Sequence, residues 1–309
     1  MFTGVYFPGK LTFNFIEGLF RFKASITRLH YALPYLLKFT LFAPFIWLHH
    51  FRILFLKKGK IESAKVVIIL GHWRTASTTL QKDLSRRMNY ATCNIYSVIF
   101  PEHFTITERW LKKPMQYVLN RLGAKTEVHN IPMLLDDPGE EEIALTAAGS
   151  RHTPGRIFLF PKCAAKILDP DGKGKWIREY KKFCSVYLAH SGKNGMVLKS
   201  PCNGMFLPQI IAGFPNAKFV LIEREKSDVL RSTVKMWDLT NRRFSFHPLT
   251  KEDQLNCASS IYELFMQRLQ NDLPLIGNRL VKVRFEDYVR DPEKCVDEII
   301  KALSAINRP

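Results

Sequence analysis

The stretch KVVIILGHWRTASTTLQKDLSRRM, residues 65–88, decides the fold of this chain. It opens with a continuous apolar run rich in β-branched side chains, which is typical of a strand buried on both faces of a parallel sheet. Residues 78–88 have the pattern of a helix. Glycine, arginine and small hydroxyl residues lie between the two, and backbone N–H groups in such a loop can hold an anion at the helix start.

Three more apolar runs follow along the chain, each succeeded by a helical pattern: GMVLKS at 195–200, AKFVLIE at 217–223 and RLVKVRF at 279–285. Ser200 and Asp291 are the expected N-caps of two of these helices, and a proline follows each of them. The alternation predicts an α/β fold, a three-layer sandwich with a central parallel sheet and helices on both sides. Ligands of such sheets bind outside the carboxyl ends of the strands, so the residues there are candidate site residues.

Composition narrows the class of protein. The chain has 309 residues, 46% of them hydrophobic, which is enough for one large domain with its own core. Its formal net charge of +18 indicates an anionic partner, either nucleic acid, a membrane face or a phosphorylated small molecule. None of the six cysteines forms a CxxC pair and no cleavable signal is recognisable, so we expect reduced thiols in the cytoplasm.

The N-terminal region, residues 1–60, differs from the rest. It holds nine Lys or Arg and a single acid, Glu17, among many Phe, Leu and Tyr residues. A basic, aromatic and aliphatic mixture favours a membrane surface over nucleic acid. A solvated basic face is the alternative. We expect residues 1–60 to contact a membrane and residues 61–309 to form the functional domain.

One segment of this region, YALPYLLKFTLFAPFIWL at 31–48, is nearly long enough to span a bilayer. However, Lys38 lies in its middle, and Pro34 and Pro44 interrupt a helix. We therefore expect amphipathic helices lying on the cytoplasmic face of a membrane, with a single span as the alternative. Residues 100–190 are less regular and predict a helical cap over the sheet edge, where an acceptor pocket would fit.

Two anion sites are predicted at the strand ends. In the first, a Walker loop would place a glycine and a lysine where Ala76 and Ser77 stand, so the loop should hold a phosphate-like anion without the usual magnesium partner. An ordinary turn around a buried Trp73 is the alternative. The candidate ligands are the guanidinium of Arg74 and the backbone and hydroxyl groups of the five residues after it, which are Thr75, Ala76, Ser77, Thr78 and Thr79.

The second anion site follows the strand that ends near residue 223. Arg224 lies just past this strand, and Ser232 lies about two turns into the next helix. The two side chains can meet on one phosphate if the connecting loop folds back. The alternative is a surface ion pair of Arg224 with Glu223 or Glu225.

The chain resembles the sulfotransferases, whose fold is P-loop-like. GHWRTASTTL at 71–80 resembles their 5′-phosphosulfate loop, and the segment LKSPCN…STVKMW at 198–237 resembles their next block. VRFEDYVRDPEKC at 283–295 resembles the third conserved block of that family. The three blocks occur in the order and spacing of the family over residues 66–309. The G-H-W-R loop, FPEHF at 100–104 and DDPGEEE at 136–142 resemble a bacterial branch, some members of which act on steroids or lipid-like alcohols.

The resemblance implies a donor, 3′-phosphoadenosine 5′-phosphosulfate (PAPS), and no metal. The loop after the first strand would then hold the 5′-phosphosulfate, with Ala76 where the family has a glycine. Arg224 and Ser232 match the family's 3′-phosphate pair, Phe285 the aromatic near the adenine, and Lys199 the strand-end lysine near the sulfate.

Transfer of a sulfuryl group requires charge stabilisation, for which Arg74 and Lys199 are the candidates, and a base for the acceptor proton. Glu140 or Glu142 is the expected base, with His103 as the alternative. Capping is a rival explanation of Glu140, because Asp137 and Pro138 suit a helix start and would put Glu140 at the capping-box position.

The sequence thus predicts transfer of a sulfuryl group from PAPS to the hydroxyl of a hydrophobic small molecule, a sterol or lipid-like alcohol. A small polar alcohol or a sugar is the alternative acceptor. A non-catalytic nucleotide-binding protein of the membrane surface is a second alternative. A small-molecule kinase is disfavoured because the Walker lysine is missing. No nucleic-acid partner is expected, and the oligomeric state stays open.

Overall fold

A four-stranded parallel sheet forms the centre of the computed structural model, which describes residues 8–56, 61–125, 131–171 and 173–306. The spatial order of the strands is β2-β1-β3-β4, and every neighbouring pair is parallel. All four strands lie where the apolar runs predict them, so the α/β prediction is confirmed. Their bounds are β1 Lys65–Leu70, β2 Gly195–Lys199, β3 Lys218–Glu223 and β4 Leu280–Arg284.

Helices cover both faces of this sheet and extend on either side of it. Short 3-10 helices at Pro201–Met205 and Leu273–Arg279 interrupt the regular alternation. The α-helices are α1 Pro8–Arg21, α2 Ala32–Leu41, α3 Ala43–Phe55, α4 Ser77–Met88, α5 Ile95–Ile99, α6 Phe104–Arg121, α7 Glu141–Ala147, α8 Ala164–Ile167, α9 Lys173–Ser191, α10 Leu207–Gly213, α11 Lys226–Phe244, α12 Lys251–Asp272, α13 Phe285–Arg290 and α14 Pro292–Ala305.

Alternate residues of β1 enter two separate cores, which makes the fold three-layered. Ile68 and Leu70 point into the larger core, while Val67 and Ile69 point into a smaller one. Side chains of α4 and α14 close the smaller core. Because successive residues of a strand face opposite sides, a strand with apolar residues at every position must be covered on both faces.

The N-terminal helices share the larger core with the sheet. Phe15, Phe39 and Ile46 are almost completely buried in it. Ser25 donates its backbone N–H to the carbonyl of Phe246 at 2.9 Å, and further bonds reach the end of α11. Residues 57–60, at the predicted boundary between the two regions, lie outside the described residues.

A buried ion pair also fixes α2. Lys38 Nζ lies 2.5 Å from Glu102 Oε1 and donates to the carbonyls of Ile99 and Ala147, at the ends of α5 and α7. Among the described helices, none is by itself long and apolar enough to cross a bilayer. The segments Ile26–Leu41 and Ala43–Phe55 pass that test together, but the axis bends by 60° between them.

Candidate active site

The four strands end at one edge of the sheet, and the predicted site residues follow these ends. Since the strands are parallel, the loop after β1, Lys199 at the end of β2, Arg224 after β3 and Phe285 after β4 come to the same side. The register pairs Ile69 with Lys199, so the loop and the lysine are neighbours. Residues far apart in the sequence therefore converge.

The loop after β1 has an unusual backbone. Arg74 and Ala76 both adopt the left-handed conformation, with φ angles of 73° and 63°. Only glycine enters this region freely, and other residues pay about 1–2 kcal/mol there. The chain also approaches itself closely at Gly71, where a Cβ would lie 2.8 Å from Thr75 Oγ1 and 2.9 Å from Ile222 Cγ2.

This loop delivers the chain to the N-terminus of α4. Thr75 and Ser77 are buried, whereas Thr78 and Thr79 are exposed on the first turn of the helix. The Thr75 hydroxyl donates to the His72 carbonyl at 2.9 Å and therefore stabilises the turn itself. The first N–H groups of a helix have no carbonyl partner within it, so this end suits an anion.

Arg74 joins the two predicted anion sites into one. Its Nε donates to Ser232 Oγ at 2.6 Å, and its carbonyl accepts from Arg224 Nη1 at 2.9 Å. Arg224 and Ser232 thus do not bond each other directly, but both contact Arg74. The Arg224 guanidinium lies over the ring of Phe285, 4.1 Å from its centre, and this cation–π contact orients it.

Positive charge is in excess in this cluster. Burial, and then the charge of Arg224, lower the pKa of Arg74. The acid that pairs with Arg224 is Asp228, at 3.7 Å, and not Glu223 or Glu225, the partners in the alternative interpretation. Arg224 Nε is buried without a hydrogen-bond partner. Two adjacent guanidinium groups and an unpartnered buried donor favour the binding of an anion.

Lys199 and Glu140 form the second part of the site. Lys199 is almost completely buried, and its Nζ donates to Glu140 Oε1 at 2.5 Å. The capping explanation of Glu140 is wrong, because α7 begins one residue later and the Glu140 side chain makes no capping bond. Asp137, the expected cap, pairs instead with Lys82 at 2.6 Å.

Glu141, which was not among the predicted site residues, is the centre of a buried network. Its Oε2 accepts from the backbone N–H of Lys199 at 3.2 Å and from the Tyr180 hydroxyl at 3.1 Å, while the Cys93 thiol donates to Oε1 at 3.3 Å. Burial raises the pKa of Glu141 to about 7. The network ties α7 and α9 to the end of β2. Its partners lie 39 to 58 residues away in sequence, so no local pattern could reveal it.

Glu142 is also fully buried, but its two carboxylate oxygens lack a hydrogen bond of ordinary geometry. Burial, and then the neighbouring charge of Glu140, raise its pKa to about 7. The side chains of Ser200 and Cys202 oppose this rise and lower the pKa of Glu142. The Ser200 hydroxyl, like the Glu142 carboxylate, has no hydrogen bond of ordinary geometry among the described residues. Glu142 is thus closed off from solvent, whereas the Glu140 side chain is partly exposed.

His103 lies in a different environment. Its ring stacks on Phe42 at 4.5 Å and packs against Phe100 at 5.0 Å, and its Nδ1 bonds Thr107 Oγ1 at 2.8 Å. Burial, and then the charge of Lys38, lower its pKa to about 3. In the described part of the chain, no hydrogen bond or ion pair links His103 to Glu140 or Lys199.

The sequence of this chain is similar to those of known sulfotransferases. A family model described as the sulfotransferase family matches residues 67–305. Two curated relatives, the omega-hydroxy-beta-dihydromenaquinone-9 sulfotransferases Stf3 of Mycobacterium bovis and Mycobacterium tuberculosis, are each 25% identical over 237 residues. The aligned region is 74% of this chain and 59% of each relative, so the chain spans somewhat less than two thirds of their length.

Two solved structures share the fold. Sulfotransferase STF1 from Mycobacterium tuberculosis H37Rv superimposes with a TM-score of 0.63 at 16% identity, over 84% of this chain and 71% of that one. Sulfotransferase STF9 from Mycobacterium avium gives a TM-score of 0.65 at 14% identity, over 83% and 68%.

Proposed function

The chain belongs to the sulfotransferase family, and on this premise we propose that it transfers a sulfuryl group from PAPS to the hydroxyl of a hydrophobic alcohol. The observation that carries the proposal is the row of cationic groups along the carboxyl edge of the sheet. Arg74 and Arg224 form one end of it, and the Lys199–Glu140 pair forms the other. One end suits a phosphorylated donor, and the other suits chemistry at a hydroxyl.

The residues of the loop and of β3 fit the donor. Arg224 has a buried Nε without a partner and a guanidinium braced by Phe285, so it can bind a phosphate with little rearrangement. Ser232 would share that phosphate, and Phe285 would pack near the adenine. The start of α4 would hold the 5′ end of the donor through Thr75 to Thr79 and their N–H groups. When bound, PAPS supplies the sulfuryl group, and no metal is part of this proposal.

Lys199 and Glu140 are the groups we assign to the acceptor side. Glu140 accepts the proton of the acceptor hydroxyl, since it is the carboxylate that touches Lys199 and its side chain is partly open to solvent. Lys199 and Arg74 stabilise the negative charge that develops around the transferred group. Glu142 is completely buried, and the His103 ring is buried against Phe42 and Phe100, so neither is our choice of base.

The hydrophobic acceptor is supported by two observations. The curated relatives carry the name of an enzyme acting on a hydroxylated menaquinone, a lipid. The N-terminal helices expose many large apolar side chains among basic ones. We propose that these helices rest on the cytoplasmic face of a membrane and that the acceptor is a sterol or lipid-like alcohol. A small polar alcohol or a sugar is the alternative acceptor.

Mass spectrometry tests this proposal directly. The full chain is incubated with PAPS and, separately, a sterol, an isoprenoid alcohol, a simple sugar and a short polar alcohol. We expect a sulfated product of one of the first two, and E140Q should lower kcat by about 10²-fold or more. E263Q is the matched control, because Glu263 is an exposed carboxylate that pairs with the exposed Lys226. Sulfation of the sugar alone would contradict the acceptor, and full activity of E140Q would contradict the base.

A further inference from the structure

Helix α6, Phe104–Arg121, has an outer face that no other described part of the chain covers. Trp110, Tyr117 and Val118 are 49%, 61% and 52% exposed, and Leu122 just beyond the helix is 75% exposed. Their spacing places them along one side of the helix. Exposed basic residues alternate with them: Arg109, Lys113 and Arg121.

This face continues the apolar surface of the N-terminal helices. The ring of Phe45 in α3 lies 5.4 Å from that of Trp110, and His49 Nδ1 bonds Thr105 Oγ1 at 2.6 Å. Helices α3 and α6 therefore lie side by side. Beyond this seam α3 exposes further large apolar side chains: Trp47, Leu48, Phe51, Leu54 and Phe55.

The opposite face of α6 holds the segment that leads to Glu140. Lys112 pairs with Asp136 at 2.5 Å. The Gln116 side chain donates to the Met133 carbonyl at 3.0 Å and accepts from the Leu135 backbone N–H at 2.7 Å. The helix thus connects an exposed apolar surface to the segment that carries the proposed base.

We propose that α6 is a second membrane-docking helix, which rests with α3 on an anionic lipid bilayer and orients the segment before Glu140 toward it. An amphipathic helix with aromatic residues on one side and Lys or Arg beside them binds in the bilayer interface. The acid of this helix, Glu108, turns inward to His190 and Lys112, and among the described residues no acid pairs with Arg109, Lys113 or Arg121 on the outer face. Their positive charge selects an anionic lipid surface as the occupant. The inference builds on the membrane contact proposed above and extends it from residues 1–60 into the enzymatic domain.

Flotation of the full chain with vesicles tests the docking face. The vesicles are phosphatidylcholine with or without phosphatidylglycerol. W110S/Y117S should weaken binding to the mixed vesicles about tenfold, because two interfacial aromatic side chains are lost. K113E/R121E should weaken binding only when phosphatidylglycerol is present. L275S/V289S is the matched control, since Leu275 and Val289 are each 55% exposed elsewhere on the molecule, and it should bind as the unchanged chain does.

Circular dichroism and the melting temperature of each variant verify that it is folded, and these exposed positions should leave both unchanged. The proposal is overturned if W110S/Y117S binds as the control does, or if the unchanged chain ignores both kinds of vesicle. It is also overturned if sedimentation shows a dimer that W110S/Y117S dissociates, because a second copy would then cover the face. Vesicle binding needs no PAPS, so failure of sulfuryl transfer would not change this outcome.

Discussion

At the residue scale, the contact between two arginines is the feature on which donor binding depends. Arg224 donates to the carbonyl of Arg74, and its guanidinium keeps a buried donor, Nε, that has no hydrogen-bond partner among the described residues. R224A should therefore weaken adenosine 3′,5′-bisphosphate by about 1.5–3 kcal/mol, roughly ten- to hundredfold, as measured by calorimetry.

Arg231 provides the matched control for this measurement. It lies on α11, the helix that follows Arg224, and pairs with the same Asp228, but its side chain is 71% exposed. R231A should bind adenosine 3′,5′-bisphosphate almost as the unchanged chain does. Equal losses in R224A and R231A would indicate only a general electrostatic effect and would remove Arg224 from the site.

The left-handed backbone at Ala76 makes a second prediction. A76G should leave the free energy of unfolding unchanged or raise it by up to about 1 kcal/mol, because glycine relieves the strain but gains freedom in the unfolded chain. A302G, within α14, should instead cost about 1 kcal/mol. Denaturant unfolding of both variants measures the difference. A loss in A76G as large as that in A302G would contradict the account of the loop.

Glu142 makes a prediction about pH. Its pKa rises from 4.5 to about 7 in the folded state, so the folded chain binds more protons than the unfolded chain between these values. The stability gained from this proton is complete below pH 4.5 and is lost as the pH rises through about 7. The difference in unfolding free energy between the unchanged chain and E142Q should therefore fall with pH, by at most about 1.4 kcal/mol per unit. A difference that stays constant between pH 5 and 7 would contradict the burial of an isolated carboxyl.

At the element scale, most of the sheet edge could be predicted from the sequence. Continuous apolar runs identify strands covered on both faces, and the carboxyl ends of parallel strands meet at one edge, so Lys199 and Arg224 are found by their positions at strand ends. The bond between Arg74 and Ser232 could not be predicted, because the two residues are 158 positions apart in sequence and meet only through the packing of α11 against the loop after β1. The same holds for Glu141, whose role is set by partners on β2 and α9.

Helix boundaries were less predictable, and α7 shows why. Asp137 and Pro138 form a good capping sequence, yet a salt bridge with Lys82 holds Asp137 and the helix starts at Glu141. A tertiary contact thus overrides a local preference. Asp291, by contrast, caps α14 as expected, since its side chain accepts from the Lys294 N–H at 3.1 Å. Asp291 is exposed, and no stronger partner competes for it there.

The attachment of α2 is a third case at this scale. In the sequence, the charge of Lys38 disfavours a membrane span. In the structure, Lys38 pairs with Glu102 and donates hydrogen bonds to backbone carbonyls at the ends of α5 and α7. K38M should cost about 3–5 kcal/mol, because it leaves the Glu102 charge buried without a partner. The double variant K38M/E102M should recover much of that loss. Denaturant unfolding of the two single variants and the double variant completes the cycle, and simple additivity would contradict a coupled pair.

At the scale of the whole molecule, the N-terminal helices are both core and surface. Phe15, Phe39 and Ile46 fill the core beside the sheet, while more than half of the large apolar side chains exposed in the described residues belong to residues 8–56. Removing this region would uncover the core as well as abolish the proposed membrane contact. Substitutions confined to the outer surface can therefore separate the two roles, whereas a truncation cannot.

Positive charge lies on two separate surfaces of the molecule. Part of the net charge of +18 lies at the sheet edge, where the donor would bind, and another part lies on the outer faces of the N-terminal helices and α6. Attraction to an anionic bilayer and attraction to an anionic donor therefore use separate groups. Salt should weaken the bilayer contact more than donor binding, because exposed charges are screened more strongly than partly buried ones.

The central claim is that the sheet edge binds PAPS and passes its sulfuryl group to a hydrophobic alcohol. The most direct measurement is mass spectrometry of both products, adenosine 3′,5′-bisphosphate and the sulfated alcohol, formed by the full chain from PAPS and a lipid-like alcohol. We predict that the two appear in equal amounts and that R224A lowers the rate at subsaturating PAPS while R231A does not. Release of adenosine 3′,5′-bisphosphate without a sulfated alcohol, or no consumption of PAPS with any alcohol while the protein binds it, would contradict the claim.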